Sequence, residues 1–183
     1  MTLPATMSGV VLIGHGGPDM LQWRDDLPTP KPGPGDVVVR VGASAVNNTD
    51  INTRLAWYSK AGNAADDAAW NGVPIRFPRV QGIDACGTIA AIGSGVDAKR
   101  LGERVLIETC LRYADGQKLV EPWYLGSECD GGFAQYLRVD ARHAFAINSP
   151  LSDAELASFP CSYSTAENML TRAKIGAGER VLV

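Results

Sequence analysis

Val37-Val38-Val39-Arg40-Val41, entered from Leu27-Pro28-Thr29-Pro30-Lys31-Pro32-Gly33-Pro34-Gly35, is the stretch on which the fold class turns. A short run of β-branched residues bounded by turn formers reads as a buried strand. The proline-rich approach to it has fixed φ angles and few amide donors, so it reads as an extended surface connection and not as a helix or a central strand. Working outward, Val10-Val11-Leu12-Ile13 ends at His15-Gly16-Gly17-Pro18. On the other side come Gly87-Thr88-Ile89-Ala90-Ala91-Ile92, Arg104-Val105-Leu106-Ile107, Phe133-Ala134-Gln135-Tyr136-Leu137-Arg138-Val139 and Ala144-Phe145-Ala146-Ile147. Short strands separated by turn signals predict a mainly β architecture, a barrel or a sandwich.

Helices enter at few places. Asn48-Thr49-Asp50 offers N-cap chemistry for a short helix to about Arg54. The Ala-, Asp- and Gly-rich stretch from Tyr58 to Gly72 has no clean period and predicts a mobile insertion. The composition changes at Ser152. Ser152-Asp153-Ala154-Glu155 and Ser164-Thr165-Ala166-Glu167 both have the Ser-x-x-Glu spacing in which side chain and amide satisfy each other, which predicts helices over about 152–159 and 164–174. Gly176-Ala177-Gly178-Glu179-Arg180-Val181-Leu182-Val183 reads as a helix cap and turn feeding an apolar strand. An unpaired apolar strand is an exposed edge, so the polypeptide is expected to continue past Val183. The expected division is a β-rich unit over residues 1–150, then two helices and the first strand of an incomplete α/β unit over 151–183.

The 183 residues are 45% hydrophobic with a formal net charge of -3. A net negative field repels phosphate backbones and anionic lipid, and no run of apolar residues approaches a membrane span, so nucleic acid and membrane are not expected partners and a cytoplasmic location is. The four cysteines, Cys86, Cys110, Cys129 and Cys161, form no Cys-x-x-Cys pair, and reduced, mostly buried thiols are expected.

The order of these segments resembles the N-terminal GroES-like catalytic domain of the medium-chain dehydrogenase/reductase superfamily. The resemblance rests on His15-Gly16-Gly17-Pro18, Pro32-Gly33-Pro34-Gly35-Asp36-Val37, Val46-Asn47-Asn48-Thr49-Asp50, Gln81-Gly82-Ile83-Asp84-Ala85-Cys86-Gly87, Gly102-Glu103-Arg104-Val105, Asp130-Gly131-Gly132-Phe133-Ala134-Gln135-Tyr136 and Gly178-Glu179-Arg180-Val181, in collinear order. It implies a partly open GroES-like β-barrel with short helices, followed by two helices and the first strand of a truncated Rossmann domain. It is weakest over Ser59 to Pro74 and Cys110 to Cys129. In the family a glycine-rich loop follows the strand matching Val181 to Val183 and holds the cofactor pyrophosphate, so these residues alone are expected to bind a nicotinamide cofactor weakly or not at all.

Zinc alcohol dehydrogenases of the superfamily hold a catalytic metal with Cys, His and Cys. By motif those positions are Asn47, Ile83 and Cys161 here, so the resemblance is to the zinc-free quinone oxidoreductase branch and no zinc is expected. Only Cys110 and Cys129 lie in the stretch that matches the structural-zinc lobe. Without a metal, polarisation falls to hydrogen-bond donors, which suits substrates that are already electrophilic, such as quinones and α,β-unsaturated carbonyls.

The resemblance nominates Asn47, Thr49 and Tyr58 as catalytic residues: Thr49 as donor to the substrate oxygen, Asn47 as a second polar contact, Tyr58 as a proton donor or a stacking face. It nominates Asn48 and Thr165 beside the cofactor. Simple N-capping is the competing reading for Asn47, Asn48, Thr49 and Thr165, and an ordinary loop tyrosine for Tyr58. Asp84 and Asp50 are expected to accept backbone amides, and Trp57 and Trp70 to form a lid. His15 and His143 receive no role.

The implied whole is a zinc-independent NADPH- or NADH-dependent oxidoreductase acting on a small electrophilic substrate, homodimeric when complete and monomeric as these residues alone. A zinc-dependent alcohol dehydrogenase and a non-catalytic GroES-like binding or scaffold module remain open beside it.

Overall fold

The computed structural model describes residues 2–59, 69–70 and 72–182. Most of the predicted insertion lies outside the described residues. The valine run is an interior strand: β3 (Asp36–Ala45) pairs antiparallel on one side with β5 (Asp84–Ile92) and on the other with β9 (Tyr136–Asp140). β6 (Arg104–Ile107) adds to β5, and β10 (Ala144–Ala146) to β6, giving the order β10-β6-β5-β3-β9. A second sheet, β2-β1-β4, is built from β1 (Thr6–Leu12), β2 (Leu21–Pro28) and β4 (Arg79–Val80), and a separate hairpin from β7 (Cys110–Ala114) and β8 (Gln117–Tyr124). The sheet curls into a half-barrel, a mainly β, GroES-like fold. Val37, Val39, Ile89, Val105, Ile107 and Leu137, all 1% exposed or less, fill its core. Each of these strands presents alternate residues to that core, and the area removed from water is what holds the sheet closed.

Glycine spacing sets how closely the strands pack. A Cβ at Gly87 would meet the Arg40 carbonyl oxygen at 2.2 Å, so only glycine lets β5 lie against β3 there.

The helices depart from expectation in instructive ways. α1 (Asn48–Arg54) is capped by Asn47, one residue earlier than predicted: Asn47 Oδ1 accepts the Thr49 amide at 3.0 Å and Asp50 Oδ2 accepts the Asn47 amide at 2.9 Å. α2 (Asp153–Ala157) has the predicted capping box between Ser152 and Glu155, and it buries Leu156 and Ala157 against Cys86 of β5. α3 (Pro160–Ala173) begins four residues before the predicted Ser164, because Pro160 at the first position fits a helix start. Ser164 and Thr165 instead donate their hydroxyls back to the Cys161 carbonyl, at 3.3 and 2.7 Å. The strand expected at Val181 is not formed among the described residues: Val181 and Leu182 have no ladder partner, and an isolated strand has no hydrogen bonds to sustain it. The predicted strand from Phe133 starts only at Tyr136; Phe133 is held in a bend by its amide to the Gln81 carbonyl and its carbonyl to the Val10 amide. All four cysteines are free, Cys86 buried and the others half-buried. No described helix is long and apolar enough to cross a membrane.

Candidate active site

Three segments meet where the sequence places its densest polar motif: the N-terminus of α1, the Gln81–Asp84 turn into β5, and the first turn of α3. One carboxylate joins them. Asp84 Oδ1 accepts the Cys161 amide at 2.6 Å, and Asp84 Oδ2 accepts the Asn47 side-chain amide at 3.3 Å. Beneath it Asp50, 5% exposed, accepts the Asn47 amide through Oδ2 and the Gly82 and Ile83 amides through Oδ1, each of the latter at 3.1 Å. Gln81 Nε2 donates to the Asp50 carbonyl. The two aspartates therefore hold backbone, as expected of them. Desolvation raises both: Asp50 is pushed up to about 6 against the pull of its three amides, and Asp84 upward against its bonds to Cys161 and Asn47.

Above this floor opens a cleft of about 650 Å3. Asn47, Thr49, Ile83, Cys161 and Thr165 all line it, so the structure gathers five positions singled out by motif. Burial and the nearby Asp84 push the Cys161 thiol up, while the hydroxyls of Thr49 and Thr165 act in the opposite direction. Asn48 is exposed in the first turn of α1 and does not line the cleft. Tyr58 is half-buried behind the wall: its ring lies 4.5 Å from Trp70, and its hydroxyl accepts from Asn52 at 3.4 Å. Trp70 in turn stacks on Tyr124, centroids 5.0 Å apart and planes 28° apart, and these two form an aromatic face of the cleft.

The remaining wall was not anticipated. The β6–β7 connection contributes Glu108 and Thr109, β7 contributes Cys110 and Arg112, and the last turn of α3 contributes Arg172. Glu108 is fixed by a residue to which the sequence assigns no role. His143, 3% exposed, accepts the Arg112 and Tyr113 amides at Nε2, both at 3.0 Å. With that nitrogen acting as acceptor, the ring proton sits on Nδ1 and is donated to Glu108 Oε2 at 2.6 Å. The Asp115-Gly116 pair at the hairpin tip could have revealed this wall, because Asp-Gly between extended segments is a strong hairpin signal.

In a smaller hollow of about 410 Å3 elsewhere on the molecule the two lining arginines are each paired with lining carboxylates, Arg79 with Asp130 and Arg138 with Asp36 and Asp115. Among the described residues no three His, Cys, Asp or Glu side chains are grouped to hold a metal ion. At the three motif positions, the Asn47 amide is committed to Asp84 and to the Thr49 amide, Ile83 has no donor atom, and Cys161 is a single thiol. That set does not fit a tetrahedral zinc site.

The chain is similar to known alcohol dehydrogenases along its whole length. It is 24% identical over 192 residues to an alcohol dehydrogenase of Schizosaccharomyces pombe, covering 100% of this chain and 51% of that protein. It superimposes on a crystal structure of a "putative alcohol dehydrogenase" from Sinorhizobium meliloti 1021 with a TM-score of 0.86 and 40% identity, over 97% of this chain and 50% of that one. A cobalt- and zinc-bound thermostable alcohol dehydrogenase from Pyrobaculum aerophilum matches with a TM-score of 0.73 and 25% identity, over 96% and 50%. The chain thus spans about half the length of these relatives. Residues 33–149 match the model of the alcohol dehydrogenase GroES-like domain, well over half of the chain, and with the barrel and cleft described above this makes the protein a member of that family, carrying the N-terminal domain of the medium-chain dehydrogenase/reductase superfamily.

Proposed function

We propose that this chain supplies the substrate half of a zinc-independent oxidoreductase that delivers hydride from a nicotinamide cofactor to a quinone or an α,β-unsaturated carbonyl. The observation that carries the reading is the donor set at the cleft floor: Asn47, Ile83 and Cys161 stand where a catalytic zinc would need three ligating atoms, and two of the three offer none that is suited and free. The nicotinamide, when bound, supplies the hydride. This chain supplies orientation and donors: the Thr49 hydroxyl for the substrate oxygen, the Asn47 amide as a second polar contact, Thr165 on the cofactor side, and the Trp70–Tyr124 face for a flat acceptor. NADPH as the preferred donor, Asn48 as a further cofactor contact and Tyr58 as a proton donor or stacking face belong to the same proposal, as do a cytoplasmic homodimer and the small electrophilic substrate.

Steady-state assays of the protein at its natural length, with quinones, enones, ketones and simple alcohols and with and without chelator, test the reading. Turnover of quinones or enones that survives chelation is expected. Turnover confined to simple alcohols and abolished by chelator would overturn it. The metal-bound Pyrobaculum relative favours the second reading, a zinc-dependent alcohol dehydrogenase, and stoichiometric zinc by elemental analysis of the purified protein would establish it in place of the first.

A further inference from the structure

Half of the twelve arginines are spent on carboxylates. Arg24, Arg79, Arg100, Arg104, Arg138 and Arg142 each lie within 4.0 Å of an aspartate or glutamate. The two that line the cleft are not. Among the described residues Arg112 has no carboxylate within that distance, and Arg172 uses only Nε, donating to Asn168 Oδ1 at 3.0 Å. Among the described residues Glu108 is the sole acidic side chain lining the cleft, and His143 Nδ1 occupies it at 2.6 Å. The cleft therefore holds two cations against one engaged carboxylate, inside a concavity with low-dielectric walls that concentrates their field.

From this, and resting on the oxidoreductase reading above, we infer that the acceptor carries a carboxylate conjugated to, or one short link from, its electrophilic carbonyl. Arg112 is its anchor and the Trp70–Tyr124 stack its flat seat. A planar guanidinium binds a carboxylate through two parallel hydrogen bonds, which fixes both distance and plane. Arg112 is exposed on β7, so its side chain carries none of the fold, while its backbone amide, bonded to His143, stays in place whatever side chain follows. Substitution there probes binding without disturbing the wall.

The experiment compares trans-benzoylacrylate with its methyl ester, two flat enones that differ by one charge, on the natural-length protein at low ionic strength. The free acid is expected to have the higher kcat/KM, by about 10- to 100-fold, the range of a charge-assisted hydrogen bond to a carboxylate. Arg112→Gln is expected to collapse that preference through KM, and Arg112→Lys to restore part of it. The alkene-saturated analogue benzoylpropionate, which needs no hydride to bind, is expected to lose affinity in the Gln variant by the same factor. Equal kcat/KM for acid and ester in the unmodified protein would overturn the inference. So would an Arg112→Gln effect seen only in the KM of the dinucleotide, which would assign the anion to a cofactor phosphate. Failure of the two ideas is separable: reduction of both enones without preference removes the carboxylate and keeps the reductase, whereas Arg112-dependent binding of benzoylpropionate without reduction of either enone keeps the carboxylate and removes the reductase.

Discussion

Replacing Asp50 with asparagine isolates one buried charge. Asp50 is 5% exposed, and desolvation raises its carboxyl from the ordinary 3.8 to about 6. A folded-state value above the unfolded one means that the folded protein holds the proton more tightly, so the stabilising contribution is complete below about pH 3.8 and is lost as pH rises through about 6. The gap of roughly two pKa units, at about 1.36 kcal/mol each, makes that loss about 3 kcal/mol. Asparagine has no such titration. Its carbonyl oxygen can still accept the Gly82 and Ile83 amides that now bond to Oδ1, and only the bond from the Asn47 amide to Oδ2 is forfeited, a pH-independent cost of about 1 to 2 kcal/mol. Urea unfolding of both proteins, followed by tryptophan fluorescence at intervals from pH 3.5 to 7.5, gives the difference in unfolding free energy directly. Asp84 and Asp36 also carry raised values, but they are present in both proteins, so subtraction removes most of their effect. The stability of the unmodified protein relative to Asp50→Asn should fall by about 3 kcal/mol across this window. Parallel curves, or a difference that grows with pH, would refute the assignment of a desolvated carboxylate at the base of the site.

Two further outcomes follow from the same structure. Arg104→Ala removes the clamp between β6 and the approach to α2, namely bonds to Asp153, to the Ser149 carbonyl and to the Leu151 carbonyl at 2.7, 3.0 and 2.7 Å. The side chains are about a third exposed, so solvent screening limits the expected loss to about 2 to 3 kcal/mol by chemical denaturation, and a change within experimental error would show that the clamp is decorative. Cys161, whose thiol is pushed up by burial and by Asp84, should alkylate with iodoacetamide more slowly at pH 8 than a free small-molecule thiol, read peptide by peptide in a mass spectrometer; faster modification would mark it as an activated nucleophile.

Where sequence and structure agree, the governing interactions are local or strongly periodic. The valine run of β3 and the turn-bounded strands at β5, β6 and β10 announce themselves by residue type, and Ser152 caps α2 through a bond to a residue three positions on. The same Ser-x-x-Glu spacing at Ser164 misleads, because Pro160 had already opened the helix and the hydroxyl found the Cys161 carbonyl instead. The β7–β8 hairpin was legible in principle. Asp115 and Gly116 both adopt positive φ, 51° and 75°, as a tight hairpin turn between twisted strands requires. Its strands alternate weakly, with Val120 98% exposed, and so lack the apolar period that identifies the others. Motif matching found Asn47, Thr49, Cys161 and Thr165. It missed Glu108 and His143, whose bond spans 35 residues and depends on a hairpin folding back to present two amides to a single ring nitrogen.

The site also shows how one carboxylate ties together a junction of three chain segments. Asp84 sits in β5, and its two oxygens reach α1 through the Asn47 side chain and α3 through the Cys161 amide. These are the segments that carry the three motif positions. A carboxylate cross-links them through hydrogen bonds, and its partners are chosen accordingly. Asn47 is useful because one end of its amide donates to Asp84 while the other accepts from Thr49, a pairing for which a thiol offers only a weak donor and a weak acceptor on one atom. Ile83 can be apolar because its backbone amide, not its side chain, ties the turn to Asp50. The arrangement keeps Thr49, Cys161 and Thr165 converged on one opening. On the zinc-independent reading, preorganised donors of this kind are the means by which the cleft would stabilise charge on a substrate oxygen, and the rigidity of the Asp84 bridge sets how well they can do it.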